Sequence, residues 1–140
     1  MHLPAVNYLA VLVTGVLIFV LGGLWYSPVM FTKRWIALQG KTMDQMKMEA
    51  STANMPLMYL SAFIAALVIA YVMAGIISRL APGNLPAGLH LAFFCWLGFA
   101  GATSYSTYLF SGRSKQLWLI DSGYNLVSFL IAGAVLAVWR

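Results

Sequence analysis

Four long apolar stretches alternate along the chain with short polar ones, and each apolar stretch ends in aromatic residues or cations. The sharpest of these boundaries is residues 21–35, LGGLWYSPVMFTKRW, where an apolar run meets Gly22-Gly23, Trp25-Tyr26, Ser27-Pro28 and then Lys33-Arg34. Apolar residues suit hydrocarbon, amphipathic aromatics suit the headgroup region and cations suit water, so the order of types is that of a helix leaving a membrane. The pattern predicts four membrane-spanning helices, at about 8–31, 57–78, 87–110 and 117–139, forming one all-α domain over 1–140. Residues 8–26 carry no charge, and at about 1.5 Å per residue they nearly cross a hydrocarbon core. Pro28 lacks a backbone donor and disfavours helix at Ser27, which predicts a kink or a helix end there.

The connection 32–56 is the only long polar one. Thr42-Met43-Asp44-Gln45 fits a capping box and predicts a short helix along the membrane surface, with Met43, Met46, Ala50 and Ala53 on its apolar side. Met43, Met46 and Met48 also raise a Cu(I) reading, since thioethers are soft ligands, but no Cys or His reinforces them. The second span carries Ala62, Ala66, Ala70, Ala74 and Ser78, a small residue at every fourth position. Such a row lets a partner backbone come close and predicts a packing seam, within one subunit or between two. In the third span Gly98 and Ala102 repeat that spacing, and Thr103-Ser104-Tyr105-Ser106-Thr107-Tyr108 places six hydroxyls in succession. These mark either a helix end nearing the interface or the lining of a polar cavity.

Composition removes the soluble alternatives. The 140 residues are 62% hydrophobic and only 8% charged, too few charges to cover a water-facing surface. The net charge of +5 does not indicate nucleic acid, because the cations stand at the ends of apolar runs, where they set topology and meet anionic lipid. Residues 32–56 and 111–116 hold Lys33, Arg34, Lys41, Lys47, Arg113 and Lys115, whereas the opposite side holds only Arg79 and Arg140. The positive-inside rule then predicts both loops in the cytoplasm and both termini outside it. The N-terminus lacks the basic n-region of a signal peptide and reads as a retained helix. At an offset of 79, Gly22, Tyr26, Ser27, Phe31 and Arg34 match Gly101, Tyr105, Ser106, Phe110 and Arg113, an echo consistent with a parallel helix-pair duplication or with shared interface chemistry.

The stretches NYLAVLV at 7–13, LGGLWYSPVMF at 21–31, Lys33-Arg34-Trp35 and LIDSGYNLV at 119–127 resemble a small bacterial membrane family known as domain of unknown function 1761. Thr32 stands where that family commonly has glycine. The resemblance implies a four-helix architecture in the bacterial inner membrane. It implies no activity, cofactor or catalytic residue.

Candidate chemistry is sparse. The acids are Asp44, Glu49 and Asp121 and the histidines His2 and His90; no HExxH, nucleotide loop or carboxylate pair at catalytic spacing occurs. The single cysteine, Cys95, allows no intrachain disulfide. His90 could ligate a haem or pigment, but its place near a span end suits a hydrogen bond to headgroups or a neighbouring helix. Asp121 is the stronger candidate, because a carboxylate within a span pairs with a cation or faces a wet cavity. Its partner is then Arg113, Lys115 or Arg34, or else it forms a polar pocket with Asn125, Tyr105 and Ser106. The reading is an accessory or structural membrane protein acting through helix packing, as a homo-oligomer or a subunit of a membrane complex. Its seam residues are Ala62, Ala66, Ala70, Ala74, Gly98 and Ala102, its partner is the lipid bilayer, and no metal or cofactor is expected. A transporter or channel for protons or a small polar solute is the alternative, and a cofactor-binding or enzymatic role the second.

Overall fold

The computed structural model describes residues 6–80 and 83–139; Arg140, expected to anchor the last span, and the start of the 81–86 turn lie outside the described residues. The chain is all-helical, and four of its segments are long and apolar enough to cross a membrane. The first is α1 (Tyr8–Trp25), begun by Asn7, whose side-chain oxygen accepts from the Leu9 and Ala10 amides at 3.0 and 3.1 Å. It stops at Trp25, earlier than the apolar pattern predicted. Ser27 closes the end by donating its hydroxyl to Leu24 O at 2.6 Å, and the Thr32 hydroxyl donates back to Tyr26 O, so the chain turns at Ser27-Pro28.

Beyond the turn lies α2 (Thr32–Leu38), a helix the polar pattern did not predict. Lys33 and Arg34 are exposed on it and Ile36 is buried. Gly40 adopts φ +72°, a conformation open mainly to glycine, and ends it. The predicted capping box then opens α3 (Met43–Thr52): the Gln45 amide donates to Thr42 Oγ1 at 3.1 Å and the Thr42 amide to Gln45 Oε1 at 2.9 Å. No residue of α3 is buried, and Lys41 pairs with Glu49 at 2.9 Å.

The second span is α4 (Met55–Leu80). The third, Leu85–Phe110, is continuous but not uniform: α5 (Leu85–Cys95) passes through a π-helical turn, Trp96–Gly101, into α6 (Ala102–Phe110). There the Ala102 amide reaches five residues back to Leu97 O, and the Thr103 hydroxyl donates to Gly98 O at 3.2 Å. The fourth span, α7 (Lys115–Val138), begins on Ser114, which accepts from the Gln116 amide at 3.1 Å.

Helix α7 is the hub. It packs against α1, α4 and the whole length of the third span, while α1 pairs with α4 on one side and α4 scarcely touches α5. At the bundle end away from the 26–54 connection, small residues make the contacts. Gly88 and Ala92 of α5 cross Gly133 and Ala137 of α7 so closely that a Cβ on Gly133 would lie 2.6 Å from Gly88 O. Ala66, Ala70 and Ala74 are buried at 3%, 0% and 6% exposure, so that part of the alanine row packs inside the subunit. Ala70 and Ala74 share a core with Ala10, Val11, Ile77, Ala132 and Leu136. Ala62, at the other end of the row, is exposed. Close backbone approach replaces the hydrophobic driving force that lipid cannot supply.

Ala70→Leu should therefore overpack this core and lower stability by about 1–3 kcal/mol, seen as a depressed melting temperature in detergent. Ala65→Leu, on the exposed face of the same helix, serves as the matched control and should change little. Equal melting temperatures for the two variants would contradict the seam.

Candidate functional site

The opposite end of the bundle is built from aromatics and one acid. Asp121, two turns into α7, is partly buried, and both of its carboxylate oxygens are occupied. Tyr26, just past α1, donates its hydroxyl to one at 2.6 Å; Tyr108 of α6 donates to the other at 2.5 Å. The adjoining backbone carbonyls of α7 are held too. The Trp25 indole donates to Ile120 O at 2.9 Å and the Trp96 indole to Ser122 O at 3.0 Å. Trp118 reaches outward in the other direction, donating to Ser104 Oγ at 3.0 Å, with Ser104 and Ser122 hydroxyls 3.4 Å apart. Three successive residues of α7 are thus fastened to the first span and to the third.

Local sequence explains the fit. Trp and Tyr are buried readily where their N–H or O–H finds an acceptor. Gly22 and Gly123 make room for them: a Cβ on Gly22 would lie 3.1 Å from the Tyr124 hydroxyl oxygen, and one on Gly123 would lie 3.0 Å from the Trp25 ring. Tyr124 donates to Ile18 O at 3.1 Å. The Tyr26 ring stands between Trp35 and Tyr124, with centroids 5.1 and 5.8 Å away. The segments LGGLWY (21–26) and LIDSGY (119–124) are therefore two halves of one joint.

Of the predicted cation partners of Asp121, Arg113 and Arg34 are engaged elsewhere, and Lys115 is exposed. The Arg113 guanidinium lies over the Tyr108 ring, 4.2 Å from its centroid, and Arg34 bonds to Gln116. Arg113 therefore touches the cluster through a ring face. Of the residues expected beside Asp121, Tyr105 packs its ring on Trp118 at 5.1 Å, Ser106 is exposed and Asn125 is half-buried. The hydroxyl that reaches Asp121 from the third span is that of Tyr108. Trp25 and Tyr26 read in sequence as interface aromatics, and Trp96 and Trp118 had no assigned role. The signal that could have assigned them is the need of a carboxylate within a span for donors. The offset-79 matches do not share partners, since Tyr26 binds Asp121 while Tyr105 packs on Trp118.

The remaining candidates lie apart. His90 is exposed and meets Phe94 edge-on at 4.6 Å. Cys95 belongs to the buried apolar core. Among the described residues no group of three His, Cys, Asp or Glu side chains could hold a metal ion. Met43 and Met48 are exposed at 44% and 72%.

The family described as protein of unknown function DUF1761 matches residues 9–137, which include both halves of the joint. The chain belongs to that family. No curated protein and no solved structure matches it. Two of the stretches through which the sequence resembled DUF1761, LGGLWYSPVMF and LIDSGYNLV, contain the residues that bind one another across the α1–α7 contact.

Chemically, the arrangement offers one carboxylate two O–H donors and offers two helix carbonyls an N–H each. That is the composition of a clamp. Asp121→Asn leaves a single acceptor oxygen for two phenols and should cost about 1–3 kcal/mol of stability. In a double-mutant cycle with Tyr26→Phe, the two losses should fall short of additivity by about 0.5–3 kcal/mol in thermal unfolding. Strict additivity would remove the direct bond from the account.

Proposed function

We propose that this protein is a non-catalytic subunit of the bacterial inner membrane, working by helix packing against a second copy or a larger complex. The observation that carries this reading is a second row of small residues on the third span. Gly98, Ala102 and Ser106 follow one another at four-residue spacing, and all three are exposed. A Cβ built on Gly98 would meet nothing within 4 Å. Lipid tails gain nothing from shortened side chains, whereas a partner helix gains close backbone approach. The α4 row is largely used within the subunit; the third-span row has no covering helix among the described residues.

Transport of protons or a polar solute draws less support. Such a path would run through Asp121, and Tyr26 and Tyr108 occupy both of its oxygens. A groove that has Tyr26 and Tyr124 in its lining does not include Asp121.

The cation bias of six against two supports a cytoplasmic placement of the 32–56 and 111–116 connections, with both termini on the far side. In intact cells of a Cys95→Ala background, Gln39→Cys and Ser111→Cys should both be shielded from an impermeant thiol reagent. Labelling of both from outside would reverse the orientation.

Gly98→Leu and Ala102→Leu test the packing role. Each should leave the melting temperature of the subunit nearly unchanged, because Gly98 has open space beside it and Ala102 is exposed. Each should shift native mass spectra or sedimentation from an oligomer or complex toward the single chain. An unchanged assembly in both variants would remove the reading.

A further inference from the structure

A groove of about 550 Å³ lies between the last turns of α1 and the first turns of α4, with Trp35 of α2 in its lining. That volume falls within the usual range for ligand clefts, about 300–1,000 Å³. Gly23 and Ala62 supply the room, and a Cβ on Gly23 would touch nothing within 4 Å. Phe19, Tyr59, Met55 and Met58 supply apolar contact, the methionines in an adaptable form. Tyr26 and Tyr124 line it as well, with their hydroxyls donated to Asp121 and to Ile18 O. From Phe19 to Tyr26 the groove follows α1 for about 10 Å, the scale of part of an acyl chain.

Charge identifies the other end of the guest. The groove runs toward the segment 26–54, which carries Lys33, Arg34, Lys41 and Lys47 against Asp44 and Glu49. Lys41 is paired with Glu49 and Arg34 bonds to Gln116, while Lys33 and Lys47 stand exposed. A slot for hydrocarbon lined by Tyr26 and Trp35 of this cation-bearing segment, where two spans end, complements an amphiphile with a negative head.

We propose that this groove binds one anionic glycerophospholipid, with an acyl chain along Gly22, Gly23 and Ala62 and the phosphate headgroup against the cations of the 26–54 segment. The site is separate from the third-span face and does not depend on the packing role. Native mass spectrometry of the full chain, released from detergent containing phosphatidylglycerol or phosphatidylcholine of identical acyl chains, tests it. The wild type should retain one phosphatidylglycerol in preference to phosphatidylcholine. Gly23→Leu should fill part of the slot, remove its packing contacts with the guest and cause loss of the retained lipid, with an unchanged melting temperature. The double variant Lys33→Gln/Lys47→Gln alters only exposed side chains and should lose the headgroup preference while keeping the fold. Equal retention of the two lipids by the wild type, or undiminished retention by folded Gly23→Leu, would overturn the proposal. So would a second copy of the chain in place of lipid, lost on Gly23→Leu. Should Gly23→Leu not fold, an undiminished lipid preference in the double lysine variant overturns it equally. Gly98→Leu should keep the lipid whatever it does to assembly, so the two readings fail separately.

Discussion

A carboxylate inside an apolar helix must find hydrogen-bond donors, and the placement of Asp121 imposes that demand on the whole loop end of the bundle. Tyr26 and Tyr108 answer it from opposite sides, one from the first span and one from the third. Those two spans meet chiefly through α7, so Asp121 lies on the element through which they are joined. The indoles of Trp25 and Trp96 extend the joint by one residue in each direction along α7. Partial burial of such a cluster strengthens each bond and makes an unmet donor or acceptor costly. The clamp therefore favours one relative rotation of three helices.

The two ends of the bundle are held by different physics. At the far end, Gly88 against Gly133 and the buried alanines of α4 bring backbones together, and dispersion contacts between closely packed surfaces do the holding. At the loop end, large aromatics separate the helices and hydrogen bonds to α7 hold them. Glycines appear in both schemes with opposite uses: Gly133 admits another backbone, whereas Gly22 and Gly123 admit a ring. The π-helical turn lies where the scheme changes, beginning at Trp96, whose indole reaches Ser122 O. The extra residue in that turn shifts the rotational register between the core-facing side of α5 and the hydroxyl-bearing side of α6.

These contacts leave two features of the outer surface without a partner among the described residues. One is the row of Gly98, Ala102 and Ser106, suited to another helix; the other is the apolar groove between α1 and α4, suited to hydrocarbon. They lie on different helices and call for different chemistry. Asp121, the acid within the described spans, has both carboxylate oxygens occupied, while Gly98, Ala102 and Ser106 lie outward.

The sequence alone determined the four spans, the break at Ser27-Pro28, the capping box at Thr42 and the membership in DUF1761. All of these depend on transfer free energy, backbone restriction or short-range hydrogen bonding, which act within a few residues. The helix α2 escaped because seven residues of mixed polarity leave too short a period to read. The tertiary structure decided which part of the alanine row faces inward, and that Gly98 faces out. It also decided that Asp121 meets Tyr26 and Tyr108 in place of Tyr105, Ser106 or a cation. Tyr26 is 95 positions from Asp121, and Tyr108 reaches it only after the π turn has rotated the helix that carries it. Helical periodicity tells which residues share a face; the angle at which that face meets another helix depends on packing across the bundle, which no local pattern encodes.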